Sequence, residues 1–284
     1  MYAIIGATGR TGRQAAETLR SWGLPVRAVV RSPDKASDLA ARGVEVVTAD
    51  LDDEAALTTA LQGVDGLYFL VAPPFDAPDP VAVNVARGRN VVRAAQQAGV
   101  GHVVLLSSVG AQHPDGTGPI KSLHHIENAL RDSGLPSTFL RAGYFAQNWG
   151  QVAVPATSDG VLPSFVAAEA VVPTVDVRDI GRTAAELLAD GPRGVRVVEL
   201  AGPADVTPSQ VAESFASIVG RPVQVAAYPA EAAKGALVQQ GLPQPIAAMY
   251  GEMYQGIAKG LVAWEGTPVR GRVPLADSIR GLVG

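Results

Sequence analysis

The chain has 284 residues, of which 47% are hydrophobic, enough for a large core in one principal domain with an addition. Its formal net charge of −4 offers no basic surface for nucleic acid, and it contains no cysteine for disulfides, thiolate catalysis or cysteine-ligated metals. We therefore expect a cytoplasmic monomer or homodimer without signal peptide, membrane span, metal site or nucleic-acid partner.

The first strand and the turn that follows it predict a nucleotide cofactor. A short apolar run, Tyr2–Ile5, leads directly into the sequence Gly6-Ala-Thr-Gly-Arg-Thr-Gly12, and a helical pattern follows. Glycines at such a junction let backbone N–H groups approach a pyrophosphate, which the positive end of the helix dipole also attracts. Because the glycines lie between a strand and a helix, they favour a cofactor loop over a plain tight turn.

The end of the second predicted strand, Pro25–Val30, indicates which cofactor is bound. NAD-binding chains have an acidic residue about 20 residues after the loop, whereas here Arg31 is followed by Ser32 and Lys35. A guanidinium suits the 2′-phosphate of NADP, and Arg10 could reach the same phosphate. We predict NADP(H). The alternative is that Arg31 is a solvated charge and that Ser32 caps the next helix.

The first half of the chain alternates between strand and helix patterns. Further apolar runs typical of buried strands occur at Val44–Thr48, Gly66–Val71, His102–Ser107 and Ser137–Leu140. Helical patterns lie at Arg10–Trp22, Pro33–Ala41, Asp53–Leu61, Val81–Ala98 and Lys121–Ser133. This alternation predicts an α/β fold with a doubly wound parallel sheet of the Rossmann type, whose ligands bind at the carboxyl ends of the strands.

The pattern changes after residue 141. Residues 150–172 are rich in Gly, Pro and small residues and indicate loop or short strand, whereas Val175–Leu188 indicates a helix and Val195–Leu200 one more strand. Thr207 to Gln210 form a capping-box pattern, and the remainder is mostly helical. We predict an NADP-binding domain over 1–141, completed by about 174–201. A smaller, mostly helical substrate-binding lobe would comprise 142–173 and 202–284.

Residues after three other predicted strands are candidates for ligand contact. Asp50 could accept a hydrogen bond from the adenine amino group, or it could cap the helix that begins near Asp53. The stretch Val71–Pro74 would let the backbone run beside the ribose, although a rigid turn explains its prolines equally well. Ser107 and Ser108 lie where nicotinamide and substrate would meet, and they could orient a substrate carbonyl or cap a turn.

The sequence contains no obvious proton donor. No Tyr has a Lys four residues later, so the Tyr-x-x-x-Lys dyad of typical short-chain dehydrogenases is missing. Our candidates are His124 and then Lys121, because the helix after the fifth strand would face the nicotinamide. The alternative is that this helix is exposed to solvent and that neither residue takes part in catalysis. An electron-poor acceptor can take hydride without a dedicated acid, and Tyr144, Phe145 and Trp149 could line an apolar pocket for it or pack in the core.

Several motifs in combination carry a family resemblance over nearly the whole chain. They are Gly6–Gly12, Arg31–Lys35, Ser107–Ala111, Glu127–Pro136, Thr138–Phe145 with Asn148, Val177–Ile180, Gly220–Val223 and Gly241–Pro243. Together they resemble the NmrA-like family of atypical short-chain dehydrogenases/reductases. The resemblance implies an NADPH-dependent oxidoreductase that passes hydride to a quinone or another conjugated aromatic or carbonyl compound. The alternative within the same family is a non-catalytic regulator that senses NADP(H).

The resemblance also implies roles for individual residues. Phosphates would be held by Gly6, Thr8, Gly9, Arg10, Thr11, Gly12, Arg31 and Lys35. Asp50 and Leu51 would flank the adenine, Val71, Ala72 and Pro73 would lie along the cofactor, and Ala142, Gly143, Tyr144 and Phe145 would approach the nicotinamide. The family often has Lys or His four residues before the helix glutamate, and that position is Leu123 here, next to His124.

Overall fold

The computed structural model describes residues 1–283, which form one eight-stranded sheet and two small two-stranded sheets. The strands are β1 (Tyr2–Ile5), β2 (Val26–Val30), β3 (Glu45–Thr48), β4 (Gly66–Phe69), β5 (His102–Ser108), β6 (Ser137–Ala142), β7 (Tyr144–Phe145), β8 (Val161–Ser164), β9 (Thr174–Val175), β10 (Val195–Ala201), β11 (Gln224–Ala227) and β12 (Val269–Arg270).

The helices alternate with these strands through the first half of the chain and predominate after it. They are α1 (Arg10–Ser21), α2 (Ser37–Ala41), α3 (Glu54–Ala60), α4 (Pro80–Gln97), α5 (Ile120–Ser133), α6 (Ala153–Ser158), α7 (Val177–Ala189), α8 (Pro208–Val219), α9 (Ala233–Gln239), α10 (Gln244–Ala258) and α11 (Leu275–Arg280). None of the helices among residues 1–283 combines the length and apolar character that crossing a membrane requires.

The main sheet has the strand order β12-β10-β6-β5-β4-β1-β2-β3, and every pairing in it is parallel. The order reverses between β1 and β4, which is where a doubly wound sheet opens a crevice for ligands. The predicted Rossmann-type α/β fold is confirmed. The carboxyl ends of β1, β2, β4, β5 and β6 therefore lie along one edge.

The strands are apolar on both sides because helices cover both faces of the sheet. Successive strand side chains point to opposite faces. Ile4 belongs to the cluster that contains Leu19 of α1 and Ile180 of α7. Its neighbour Ile5 belongs to the second cluster, with Ile126 of α5. This double burial explains the near-continuous apolar runs in the sequence.

Three element boundaries differ from the sequence-based prediction. The predicted helix Pro33–Ala41 is a 3-10 turn followed by α2, and the predicted strand Gly66–Val71 ends at Phe69. The helix predicted from Val175 begins at Val177, because the Asp176 carboxylate accepts the Arg178 N–H at 2.7 Å and caps it. Burial opposes ionisation of Asp176, but hydrogen bonds from Arg178 and Ser278 lower its pKa to about 2.

The second half contains more regular structure than predicted. The sequence predicts loop or short strand for residues 150–172; β8 is such a strand, but α6 is an additional helix, whose Ala153 and Ala156 pack with Phe215 of α8 in a separate apolar cluster. The predicted capping box at Thr207 is confirmed. The segments 142–173 and 202–284, which we propose as the substrate lobe, contribute one strand to the main sheet: β12 pairs with β10.

Candidate functional site

The glycine loop after β1 leaves its backbone open to a ligand. Gly6 has φ +86°, and the Gly9 N–H donates to the Gly6 carbonyl at 2.9 Å, which closes a tight turn before α1 begins. A Cβ on Gly12 would lie only 2.3 Å from the Gly6 oxygen, so only glycine permits this approach of helix to strand. The first N–H groups of α1 lack intrahelical acceptors and lie at the positive end of its dipole. This arrangement of glycines and free N–H groups suits the binding of a phosphate.

Three cationic side chains around this loop form no ion pair among residues 1–283. Ile5 pairs with Val29, so Arg31 leaves β2 beside the loop that leaves β1. The side chains of Arg10, Arg31 and Lys35 are exposed, and within residues 1–283 none forms a hydrogen bond or ion pair. Most other arginines among residues 1–283 form an ion pair with a carboxylate, as Arg13 does with Asp38. The unpaired cations suit an anionic ligand.

The neighbouring polar residues of the loop and of β2 are divided between exposed and structural positions. Thr8 and Ser32 are exposed, and the Ser32 side chain makes no capping hydrogen bond. The Thr11 hydroxyl is buried and accepts a hydrogen bond from Tyr68 at 2.9 Å, and burial strongly raises the pKa of that tyrosine. The Thr11 hydroxyl keeps its own proton in this arrangement, and the Thr11 backbone N–H at the start of α1 has no intrahelical acceptor.

The region proposed for adenine lies after β3. The Asp50 carboxylate accepts the Asp52 N–H at 3.0 Å, whereas Asp53 caps α3 by accepting the Ala56 N–H at 2.9 Å. Asp53, and not Asp50, therefore caps this helix. The Leu51 carbonyl accepts the Asn90 side-chain amide at 2.9 Å, which holds this turn against α4.

The stretch after β4 lies outside regular structure. Val71 and Pro73 are half-buried and Ala72 is exposed, all outside regular structure. Leu70, which precedes them, packs against Gly6, since a Cβ atom added to Gly6 would lie 3.2 Å from the Leu70 side chain. Val71 to Pro73 thus begin next to the glycine loop, as a segment lying along the cofactor would.

Ser107 differs from its predicted role. Its hydroxyl is buried and donates to Glu127 of α5 at 2.6 Å, and the same carboxylate receives two hydrogen bonds from Arg141 at 2.9 and 2.8 Å. The hydroxyl is committed to this interior network, so we withdraw the prediction that it orients a substrate. Ser108 is half-buried at the strand end, and its hydroxyl donates to the Val109 carbonyl at 3.0 Å, as a turn cap would.

His124 and Lys121 are also structural in their contacts. His124 Nδ1 lies 2.9 Å from the Ala111 carbonyl and Nε2 lies 3.0 Å from the Asn128 amide, so a neutral ring satisfies both neighbours. Lys121 Nζ donates to Glu252 of α10 at 2.7 Å. Both groups hold α5 to adjacent segments, and these contacts give no support to the prediction that one of them is the acid.

One part of the segment after β6 is buried, and another part lines a cavity. Ala142 and Gly143 are buried, and a Cβ on Gly143 would lie 2.6 Å from the Pro173 oxygen. Phe145 packs against the core cluster on the α1 and α7 side of the sheet. Tyr144 lines a cavity instead.

This cavity, of about 330 Å³, lies between the end of β6 and the second half of the chain. Its aromatic residues are Tyr144, Trp149, Phe165, Tyr228 and Tyr254. The other lining residues are Asn148, Gln151, Val152, Pro155, Pro163, Ser164, Val166, Val172, Ala232, Ala236, Leu237, Gln240 and Ile257. None of the lining side chains carries a charge.

Aromatic contacts fix the shape of the cavity. Tyr144 and Trp149 meet edge to face with centroids 5.6 Å apart, and Phe165 lies 5.2 Å from Tyr254 and 6.2 Å from Tyr228. The sequence predicted Tyr144, Phe145 and Trp149 for this pocket; Tyr144 and Trp149 line it, whereas Phe145 packs against the core instead. The sequence did not indicate Phe165, Tyr228 and Tyr254, because they join the pocket only through tertiary packing.

Comparison with known proteins now identifies the family. The sequence profile of the NmrA-like family matches residues 2–260. The chain belongs to the NmrA-like family. Its curated relatives include quinone oxidoreductase 2 of Escherichia coli, which is 34% identical over 265 residues (92% of this chain, 89% of the relative). The NAD(P)H azoreductase of Xenophilus azovorans is 32% identical over 255 residues (89% and 86%).

Solved structures of similar proteins share the fold of this NmrA-like chain. The crystal structure of an Escherichia coli NADPH-dependent quinone oxidoreductase complexed with NADPH has a TM-score of 0.86 at 31% identity and covers 100% of both chains. The triphenylmethane reductase of a Citrobacter species, complexed with NADP(H), has a TM-score of 0.85 at 25% identity and covers 99% of this chain and 100% of that one.

Proposed function

We propose that this protein is an NAD(P)H-dependent reductase that prefers NADPH and transfers hydride to an uncharged quinone or a related conjugated aromatic or carbonyl compound. The observation that carries the proposal is the charge-free aromatic cavity that begins at Tyr144, directly after β6. Stacking between flat rings is the interaction that such walls offer, and it suits a planar acceptor.

The residues around the glycine loop fit the pyrophosphate and 2′-phosphate of NADPH. The close approach of Gly12 to Gly6 holds the start of α1, whose free N–H groups would bind the pyrophosphate, directly after β1. Arg31 and Lys35 would hold the 2′-phosphate, and Arg10 would add a third positive charge. Asp50 and Leu51 would flank the adenine. When bound, NADPH supplies a hydride, that is, one hydrogen with two electrons.

The protein's own contribution is positioning and exclusion of water. The edge-to-face pair Tyr144 and Trp149 and the neighbouring pair Phe165 and Tyr254 would supply aromatic surface for the acceptor. Holding the acceptor in a water-poor cavity at a fixed distance from the nicotinamide lowers the entropic cost of reaching the transition state.

Because the cavity lining carries no charge, we expect the protein to reduce neutral acceptors in preference to anionic ones. An anionic substituent would lose its hydration without gaining a cationic partner. We expect naphthoquinone to be reduced with at least tenfold higher kcat/KM than naphthoquinone sulfonate, as measured by NADPH oxidation. Gln240→Lys would place a cation on the rim of the cavity and raise kcat/KM for the sulfonate about three- to fivefold, as an exposed ion pair allows.

A matched control is Gln239→Lys, which adds the same charge on α9 at a residue that does not line the cavity. The alternative function, a regulator that senses NADP(H), makes a different prediction in the same assay. Such a protein would bind NADPH yet oxidise it no faster in the presence of quinones, enones or dyes than in their absence. That result would overturn the proposed reductase activity.

A further inference from the structure

Three tyrosines from two distant parts of the chain pack together beside the cavity. Tyr144 follows β6, and Tyr250 and Tyr254 lie one turn apart on α10. All three pack against a cluster of buried residues that includes Val109 after β5 and Met253 of α10. The cluster therefore joins the carboxyl edge of the sheet to the last long helix.

Only two of these three tyrosines line the cavity. Tyr144 and Tyr254 do so, and aromatic neighbours hold their rings: Trp149 at 5.6 Å from Tyr144 and Phe165 at 5.2 Å from Tyr254. Tyr250 belongs to the same cluster and the same helix but does not line the cavity. The chain thus contains a natural control for the two cavity hydroxyls.

The two cavity hydroxyls keep their protons over a wide pH range. Burial raises the pKa of Tyr144 well above its ordinary value of 10.0, and the neighbouring hydroxyl of Tyr254 raises it further. Burial also raises the pKa of Tyr254, although its contact with Tyr144 offsets part of that effect. Both groups are therefore available as hydrogen-bond donors at neutral pH.

We propose that the hydroxyls of Tyr144 and Tyr254 are the catalytic donors to the acceptor oxygen, in place of the missing Tyr-x-x-x-Lys dyad. This inference rests on the proposed reductase function. Three tyrosines line the cavity: Tyr228 is 51% exposed, whereas Tyr144 and Tyr254 are half-buried and come from distant parts of the sequence. Their donation stabilises negative charge on oxygen as that charge develops.

The proton and electron balance of the step is simple. A quinone that receives hydride from NADPH gains two electrons and one hydrogen, which yields NADP⁺ and the hydroquinone monoanion. The anion's oxygen accepts hydrogen bonds from the two tyrosines and then one proton, which completes the hydroquinone. The tyrosine that gives the proton recovers one from water. An enone follows the same balance, with an enolate in place of the monoanion.

The position of Tyr254 is fixed by the attachment of α10 to the loop after β5. Glu252 accepts the Gly116 N–H at 2.9 Å and Lys121 Nζ at 2.7 Å. A Cβ on Gly256 would lie 2.4 Å from the Gly116 oxygen, so the helix lies directly against this loop. The donor is therefore preorganised, which is the condition under which such hydrogen bonds accelerate a reaction.

The test compares Tyr254→Phe, Tyr144→Phe and the double variant with the parent, and Tyr250→Phe is the matched control. Removing a donor to a developing oxyanion costs about 10²–10³ in rate in established cases. We expect kcat to fall about tenfold or more with naphthoquinone and about a hundredfold with a less electrophilic enone, whose enolate is more basic. Tyr250→Phe should stay within about twofold of the parent, and NADPH affinity should be unchanged in all variants.

A binding measurement separates this inference from the proposed activity. In the NADP⁺ complex, where no turnover occurs, naphthoquinone binding is followed by quenching of Trp149, which lines the same cavity. Loss of one hydrogen bond to its carbonyl should raise Kd about fivefold in Tyr254→Phe and not in Tyr250→Phe. If the parent reduces no acceptor, the reductase proposal fails and the catalytic role fails with it, whereas a Kd difference would still show that Tyr254 donates to the bound carbonyl. If the parent does reduce acceptors, the rates and Kd values of the variants test the inference separately from the activity. Unchanged Kd values, or rates within twofold of the parent for both cavity variants, would overturn it.

Discussion

Arg141 of β6 and Glu127 of α5 form a bidentate ion pair in the interior, with N–O distances of 2.9 and 2.8 Å and side chains no more than 3% exposed. Ser107 donates to the same carboxylate at 2.6 Å, and Arg141 also contacts Glu265 from the last part of the chain. The pair thus ties two strands and a helix to the C-terminal segment. Burial opposes the charged form of Arg141, but Glu127 and Glu265 more than offset it and raise the pKa of Arg141 above its usual value.

The first prediction is that Glu127→Gln lowers the free energy of unfolding by about 3–5 kcal/mol, because it leaves Arg141 buried beside a neutral amide. Urea denaturation monitored by circular dichroism measures this loss. The control is Arg280→Ala, which breaks an exposed pair with Asp277 and should cost less than about 1 kcal/mol. Equal losses in the two variants would contradict this account of the buried pair.

The second prediction concerns the choice of cofactor. Arg31→Ala should weaken NADPH binding by on the order of 1.5–3 kcal/mol and leave NADH binding unchanged, because only NADPH carries the 2′-phosphate. Tryptophan fluorescence titration with both cofactors measures the difference. Arg13→Ala is the control, since Arg13 is already paired with Asp38 and should not contribute to discrimination. An Arg31→Ala protein that still prefers NADPH to the same degree would refute the assignment.

The sheet and the glycine loop could be predicted from the sequence because their causes are local. A parallel strand covered on both faces is apolar along most of its length, and the contact of Gly12 with Gly6 is set within seven residues. The site was less predictable. Ser107 was misassigned because its partner, Glu127, lies on the next helix, and Tyr254 was missed because its place in the cavity depends on how α10 packs. Sequence patterns do not contain those contacts.

The third prediction follows from the hydrogen bonds of His124 and Lys121. His124→Ala should lower the free energy of unfolding by about 1–2 kcal/mol, because it removes the contact with the Ala111 carbonyl. At saturating NADPH, both His124→Ala and Lys121→Ala should retain turnover within tenfold of the parent. A larger loss of kcat in either variant, with NADPH affinity and unfolding midpoint preserved, would restore that residue as the acid.

The last prediction is a loss of stability in mild acid that originates at His102. This residue begins β5 and is 1% exposed, and its Nε2 lies 3.1 Å from the Thr138 hydroxyl. Nδ1 has no hydrogen-bond partner among residues 1–283. Burial, together with the nearby positive charge of Arg196, lowers the pKa of His102 from 6.5 to about 4. The folded protein therefore keeps the ring neutral where the unfolded chain protonates it.

Because the unfolded state binds the extra proton, stability decreases as the pH falls from about 6.5 towards 4 and changes no further through this group below that. Between pH 7 and pH 5 the loss should be about 2 kcal/mol, measured as the difference between urea unfolding free energies. His102→Gln does not titrate, and its amide can still hydrogen-bond Thr138. Contributions from the other histidines and the carboxylates are common to both proteins and cancel in the comparison. The variant should therefore lose about 2 kcal/mol less than the parent over this range, and an equal loss in both would show that another group causes the acid sensitivity.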